Sequence, residues 1–180
     1  MQKKIILLIG GPGTGKSTLI ETLSKRGYVC YPEISRQVIL EAQQQGTEQL
    51  FLEDPLLFSQ KLLEGRIKQY KAALAEQEDI IFIDRGIPDV VAYMHFIGDR
   101  VYPESFTTAS KEHRYSQLFI LPVWNEIYLT DNERYESLEE AEKIQEHLVQ
   151  TYTDFGYDMT EVPRDTPENR ADFILERLGV

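Results

Sequence analysis

Apolar residues along this chain fall into short unbroken runs. Between the runs lie longer stretches in which apolar residues recur every three or four positions. Ile5 to Ile9 is a continuous run, the pattern of a strand covered on both faces of a parallel sheet. Tyr28 to Tyr31, Ile80 to Ile83, Leu118 to Leu121 and Met159 to Val162 read as further short strands. Thr18 to Lys25, Ile34 to Gln44, a segment near Pro88 to Phe96, and Leu138 to Tyr152 read as helices. Gly27 and Gly46 stop the first two. The longest helix is predicted to open at Asp54-Pro55, because the acid caps and proline suits the first helical position. Leu63, Ile67, Tyr70 and Leu74 then keep one face apolar to about Ala75. Thr166-Pro167 opens the last helix in the same way. The less regular segments, roughly 34–60 and 97–116, are where pocket shape and specificity are expected to reside.

Short apolar strands alternating with helices predict an α/β fold, a parallel five-stranded sheet with helices on both faces. Ligands of such sheets gather beyond the carboxyl ends of the strands. That rule singles out the loop from Gly10, then Glu33, Asp84-Arg85, and the segment after Leu121.

Composition narrows the setting. A length of 180 residues suits one domain, here with a lid-like segment near 122–140. No apolar run reaches the ~18 residues that span a bilayer. The single cysteine, Cys30, rules out an internal disulfide framework, makes the cytoplasm the expected compartment, and reads as a small buried hydrophobe. A net charge of -11 opposes a phosphate backbone and so disfavours broad nucleic-acid binding, while leaving room for a local basic pocket. His95, His113 and His147 lie on unrelated segments without metal-ligand spacing.

Gly10-Gly11-Pro12-Gly13-Thr14-Gly15-Lys16-Ser17 fits G-x-x-x-x-G-K-[ST] at every fixed position, between a predicted strand and a predicted helix. Glycines allow the backbone to curl closely around an anion, and successive N–H groups then point inward. The helix that follows, carrying Thr18 in its first turn, adds its positive end. Lys16 is placed to reach the outer phosphates of ATP, and the Ser17 hydroxyl to ligate Mg2+.

Asp84 ends a strand on the edge that carries this loop, as a magnesium carboxylate does; capping the next helix is its plainer use. A hydrolytic ATPase commonly has a second acid at the following position. Arg85 stands there, and guanidinium has no accessible base form. It can bind an anion, steady charge on a moving phosphoryl group, or simply pair with an acid. Glu33 faces the same crevice as a base, a hydroxyl binder or a helix cap. Arg36 and Asp89 are candidate acceptor contacts. Arg134 is the candidate lid arginine, with Arg114 in reserve, and Arg170 is placed near the base of the nucleotide.

These residues carry a resemblance. GGPGTGKST, PEISRQVI, FIDRGIPD, DNERY and VPRDTPENRADFIL run nearly end to end along the chain. Together they resemble the P-loop ATPase/kinase-like family that includes the nicotinamide riboside kinase domains of bacterial NAD-synthesis regulators. The resemblance implies a nucleoside-monophosphate-kinase-like P-loop NTPase fold with ATP and Mg2+ at the loop. It also implies a small acceptor among Glu33, Arg36 and Arg85, and Arg134 in the lid. The expected activity is phosphoryl transfer from ATP to a nucleoside-like or other hydroxyl metabolite. An ATPase or nucleotide-dependent switch acting on a protein partner, and a nucleotide binder without turnover, are the alternatives. Absence of [NT]-K-x-D and of D-x-x-G after the loop argues against a Ras-like GTPase.

Overall fold

The computed structural model describes residues 3–128 and 137–180. Its centre is a sheet of five parallel strands: β1 (Lys4–Ile9), β2 (Val29–Tyr31), β3 (Ile80–Asp84), β4 (Gln117–Ile120) and β5 (Met159–Glu161), in the order β2-β3-β1-β4-β5. Side chains alternate along each strand, so β1 feeds both faces. Ile6 and Leu8 pack with Phe82 and Phe119 against α1 (Lys16–Lys25) and α9 (Pro167–Leu178). Ile5, Leu7 and Ile9 pack on the opposite face with Leu148 and Tyr152 of α8 (Leu138–Asp154). All five residues from Ile5 to Ile9 are buried, as their unbroken apolar run requires.

A helical layer stands beside the β2 edge: α2 (Ser35–Gln44), α3 (Leu50–Glu53), α4 (Pro55–Ala75), α5 (Asp89–Phe96) and α6 (Glu104–Glu112). Its core gathers Val38, Leu50, Phe58, Leu62, Val91 and Phe106. α7 (Asn125–Tyr128) follows β4. The predicted caps are present: Asp54 accepts from Leu57 N at 3.0 Å, and Thr166 accepts from Asn169 N at 3.2 Å. α6 corrects the expectation of irregular chain over 97–116. Its sequence, ESFTTASKE, offers only Phe106, Ala109 and Ser110 to the interior, too sparse a stripe to announce a helix. No helix among the described residues is long and apolar enough to cross a membrane.

Register sets where chemistry can occur. Leu8 pairs with Asp84, so the loop leaving β1 starts from the edge where Asp84 sits. Tyr31 pairs with Ile83, which puts Glu33, two residues on, at that same edge.

Candidate active site

The loop from Gly10 to Ser17 turns tightly into α1. Gly15 has φ 84°, a left-handed conformation that an L side chain strains to adopt, and a Cβ there would meet the Arg170 guanidinium at 2.9 Å. A Cβ on Gly10 would meet Leu121 O at 2.7 Å. Lys16 lies across the loop, its ammonium donating to Gly11 O at 2.8 Å and Thr14 Oγ1 at 3.1 Å. Burial lowers its pKa to about 8, with Arg85 adding to the effect and Asp84 opposing it. Thr14 is fully buried, whereas Ser17 and Thr18 are exposed on the first turn of α1.

Asp84 is 3% exposed. Burial pushes its pKa up to about 6, against the opposing field of Lys16. Its Oδ1 is buried and has no hydrogen-bond partner among the described residues. An unpaired carboxylate oxygen at the sheet edge from which the loop leaves, and an exposed serine hydroxyl on that loop, are donors of the kind that suits a hard, oxygen-seeking cation such as Mg2+.

Beside the loop opens a cavity of about 530 Å³, with Pro12 of the loop in its wall. Glu33, Arg66, Arg85 and Asp89 form its polar floor. Glu33 Oε1 accepts from Ile34 N at 3.0 Å and Ser35 N at 2.9 Å, turning the chain into α2, and from Arg66 Nη2 at 3.3 Å. Glu33 Oε2 lies 2.8 Å from Arg85 Nε, an ion pair without the alignment of a hydrogen bond. Burial alone would raise the Glu33 pKa; the two guanidiniums and the Ser35 N–H outweigh it and hold the carboxylate below its ordinary range. Arg85 has φ 65°, the only left-handed residue other than glycine among those described. That kink leads the chain off β3, and the Arg85 side chain lines the cavity.

Asp89, at the start of α5, is buried as well. Its Oδ2 accepts from Gly86 N at 3.0 Å and from the Tyr152 hydroxyl at 2.5 Å. Gly86 itself has no room for a side chain: a Cβ would lie 2.7 Å from Leu7 Cδ2 and 2.7 Å from the Tyr152 hydroxyl oxygen.

The sequence model of the AAA-domain family matches residues 5–170. The chain belongs to this family. No curated protein matches it. Among solved structures, deoxyadenosine kinase from M. mycoides superposes with a TM-score of 0.73 at 18% identity, over 97% of this chain and 98% of the other. Thymidylate kinase from Candida albicans gives 0.71 at 16% identity, over 99% and 92%. The NadR protein in complex with NR gives 0.70 at 16% identity, over 99% of this chain and 50% of the other. The expected fold is therefore present: this AAA-domain family member is built as a nucleoside-monophosphate-kinase-like P-loop protein.

Other sequence-selected residues fall differently. Arg36 is exposed on α2 and does not line the cavity. Arg114 is corrected: it precedes β4, at the amino ends of the strands, where it donates to Phe155 O at 2.8 Å and stacks 3.7 Å from the Tyr157 ring centroid. Arg134 lies outside the described residues. Arg170 sits behind the phosphate loop rather than in an open pocket, donating to Thr14 O and Pro163 O, each at 2.8 Å, with its guanidinium 5.3 Å from the Trp124 ring centroid. Cys30 is half-buried, and burial raises its thiol pKa to about 11, far from a reactive thiolate.

Sequence reasoning missed three members of this AAA-domain site. Arg66, 3% exposed, pairs with Glu33 from the middle of α4. Tyr152 holds Asp89. Gln145 clamps the loop, its Oε1 accepting from Gly11 N at 2.7 Å and its Nε2 donating to Leu121 O at 3.2 Å.

Arg170→Met tests the support behind the loop. It strips the charged donor from two carbonyls, so stability is expected to fall by roughly 3 kcal/mol in urea denaturation. Nucleotide affinity should fall too, read by calorimetry, because Thr14 loses its anchor.

Proposed function

We propose that this protein is a small-molecule kinase. It binds ATP in the Gly10–Ser17 loop and transfers the γ-phosphoryl group to a hydroxyl of a nucleoside-like or other metabolite held in the adjoining cavity. The observation that carries the reading is the continuity of loop and cavity through Pro12, with Glu33 and Arg85 on the shared floor. The kinases that share the fold support it.

In this reading the inward N–H groups of the loop and the Lys16 ammonium bind the phosphate oxygens. Ser17 and Asp84 would hold Mg2+, which when bound supplies positive charge to the phosphates. Arg85 faces the transferred group and steadies its charge. Glu33 accepts a hydrogen bond from the acceptor hydroxyl and orients it. The hydroxyl oxygen then bonds to the γ-phosphorus as the bond from that phosphorus to the bridging oxygen breaks. ADP leaves with the bonding electrons, and the hydroxyl proton passes to Glu33. A carboxylate held below its usual pKa is a weak base, which suits a loose transition state in which the proton leaves late. Arg134 is assigned to the lid that shuts water out, and the chain to a single domain.

The test is ADP formation with MgATP across a panel of nucleosides and other hydroxyl metabolites. Slow release alone and faster release with one acceptor class is the expected result. A panel that never accelerates it removes the kinase reading. Asp84→Asn is a second test. It should abolish turnover yet raise the stability of metal-free protein at pH 8. A carboxyl whose folded pKa lies above its unfolded value costs stability once it ionises, and asparagine removes that cost. Thermal melts of both proteins without metal measure it.

A further inference from the structure

Gly11 stands at a variable position of G-x-x-x-x-G-K-[ST], and its φ is not left-handed. Neither the motif nor the local backbone therefore asks for glycine there. A neighbour does: a Cβ on Gly11 would lie 2.8 Å from Ala141 O of α8. The loop and α8 come together with no room for a side chain between them.

Gln145, one turn further along α8, uses that approach. Its Oε1 accepts from Gly11 N at 2.7 Å, and its Nε2 donates to Leu121 O at 3.2 Å. One side-chain amide thus bridges the chain leaving β1 and the chain leaving β4. The carbonyl of the same Gly11 accepts from the Lys16 ammonium at 2.8 Å and from the Thr14 hydroxyl at 3.1 Å. Glycine is the most pliable of residues, so holding its N–H restrains where its carbonyl points. Gln145 can therefore act on Lys16 through Gly11.

The same helix reaches the reactive corner. Ala141, Gln145, Leu148 and Tyr152 fall on one stripe of α8. Leu148 and Tyr152 pack into the core with Ile5, Leu7 and Ile9. The Tyr152 hydroxyl donates to Asp89 Oδ2, which also accepts from Gly86 N. One stripe thus meets the backbone at two glycines, Gly11 in the loop and Gly86 after Asp84 and Arg85. About 16 Å of helix separates the two contacts, a stiff spacer between them.

We propose that Gln145 is a positioning residue for phosphate binding: by holding Gly11 it fixes the carbonyl on which the Lys16 ammonium rests, and α8 sets that point against the corner of Asp84 and Arg85. This deepens the kinase reading and rests on its nucleotide-binding half.

The experiment is a double-mutant cycle on nucleotide affinity. Gln145→Met keeps the length and bulk of the side chain and makes neither bond. Binding of a non-hydrolysable MgATP analogue is measured by calorimetry in the parent protein, Gln145→Met, Lys16→Ala and the double variant. Gln145→Met should weaken binding roughly 10-fold in the parent background. In the Lys16→Ala background the same change should cost less than about 2-fold, because the group being positioned is gone. Additive losses would leave Gln145 a brace of the fold and overturn the inference, as would unchanged binding in Gln145→Met. Thermal melts check that each variant is folded. Gln145→Asn, one methylene too short to keep both bonds, runs the same cycle should the methionine variant not fold. The readings fail separately. Binding of the analogue without ADP formation from MgATP for any acceptor removes only the kinase, and additive losses remove only this inference. No binding of the analogue to the parent protein removes both.

Discussion

Lys16→Ala should lower ADP formation roughly 10²- to 10³-fold, the usual cost of deleting one preorganised donor to transition-state charge. Lys16 is 7% exposed and its ammonium is held on neutral oxygens, so burial makes its charge costly before nucleotide arrives. A triphosphate supplies the charge partner that Gly11 O and Thr14 Oγ1 cannot. The same argument predicts a proton effect. With a free-state pKa of about 8, some of the Lys16 population is neutral near that pH, and phosphate binding raises the pKa. MgATP binding at pH 8 should therefore take up protons, visible as a dependence of the calorimetric enthalpy on buffer ionisation heat, and the uptake should vanish in Lys16→Ala. Stability of the nucleotide-free protein at pH 7 should hold or rise, since a lysine whose folded pKa is depressed costs the fold stability while it is protonated, and alanine removes that cost. Turnover within a factor of three of the parent protein would remove Lys16 from the chemistry.

Glu33→Gln should lower kcat on the order of 10²-fold while MgATP affinity stays within about three-fold, because the proposed mechanism puts Glu33 on the acceptor side. Glutamine keeps an oxygen for Ile34 N and Ser35 N but brings no charge to Arg66 and Arg85. Arg66 then sits buried with its nearest counter-charge gone, and stability should fall by roughly 3 kcal/mol. Acid behaviour separates the two roles. Glu33 has a depressed folded pKa, so its contribution is present above its unfolded value and is lost as pH falls through the folded one. Melting temperature should thus fall less steeply with acid in Glu33→Gln than in the parent protein. A kcat equal to that of the parent protein would leave Glu33 a purely structural cap.

The strands and the phosphate loop were legible because each constrains residue type directly. A strand covered on both faces must be apolar throughout, and a left-handed turn such as Gly15 excludes side chains. That Asp84, Arg85 and Glu33 stand at one edge of the sheet followed from reading each as the end of a parallel strand. Arg66 escaped because a charged residue on a long amphipathic helix ordinarily faces water. Its neighbour was the available signal. Gly65 sits mid-helix, where glycine weakens the helix, because a Cβ there would collide with the Ile34 side chain. That close approach of α2 to α4 is what buries Arg66. Tyr152 continues the apolar spacing of Ile144 and Leu148, so its hydroxyl was hidden inside a core pattern. Gln145 acts on a backbone N–H 134 positions away, a relation that local spacing cannot carry. α6 went unread for lack of an apolar stripe.

Gly86 has a consequence for how such a protein can diversify. Wedged between Leu7 and Tyr152, it ties the corner after Asp84 and Arg85 to the sheet interior, so a side chain there would disturb the core. Leu52 and Ile97 border the same hollow from exposed positions and belong to none of the buried cores. A protein engineer could therefore reshape the outer ring of that hollow while leaving the corner at Gly86 as it stands.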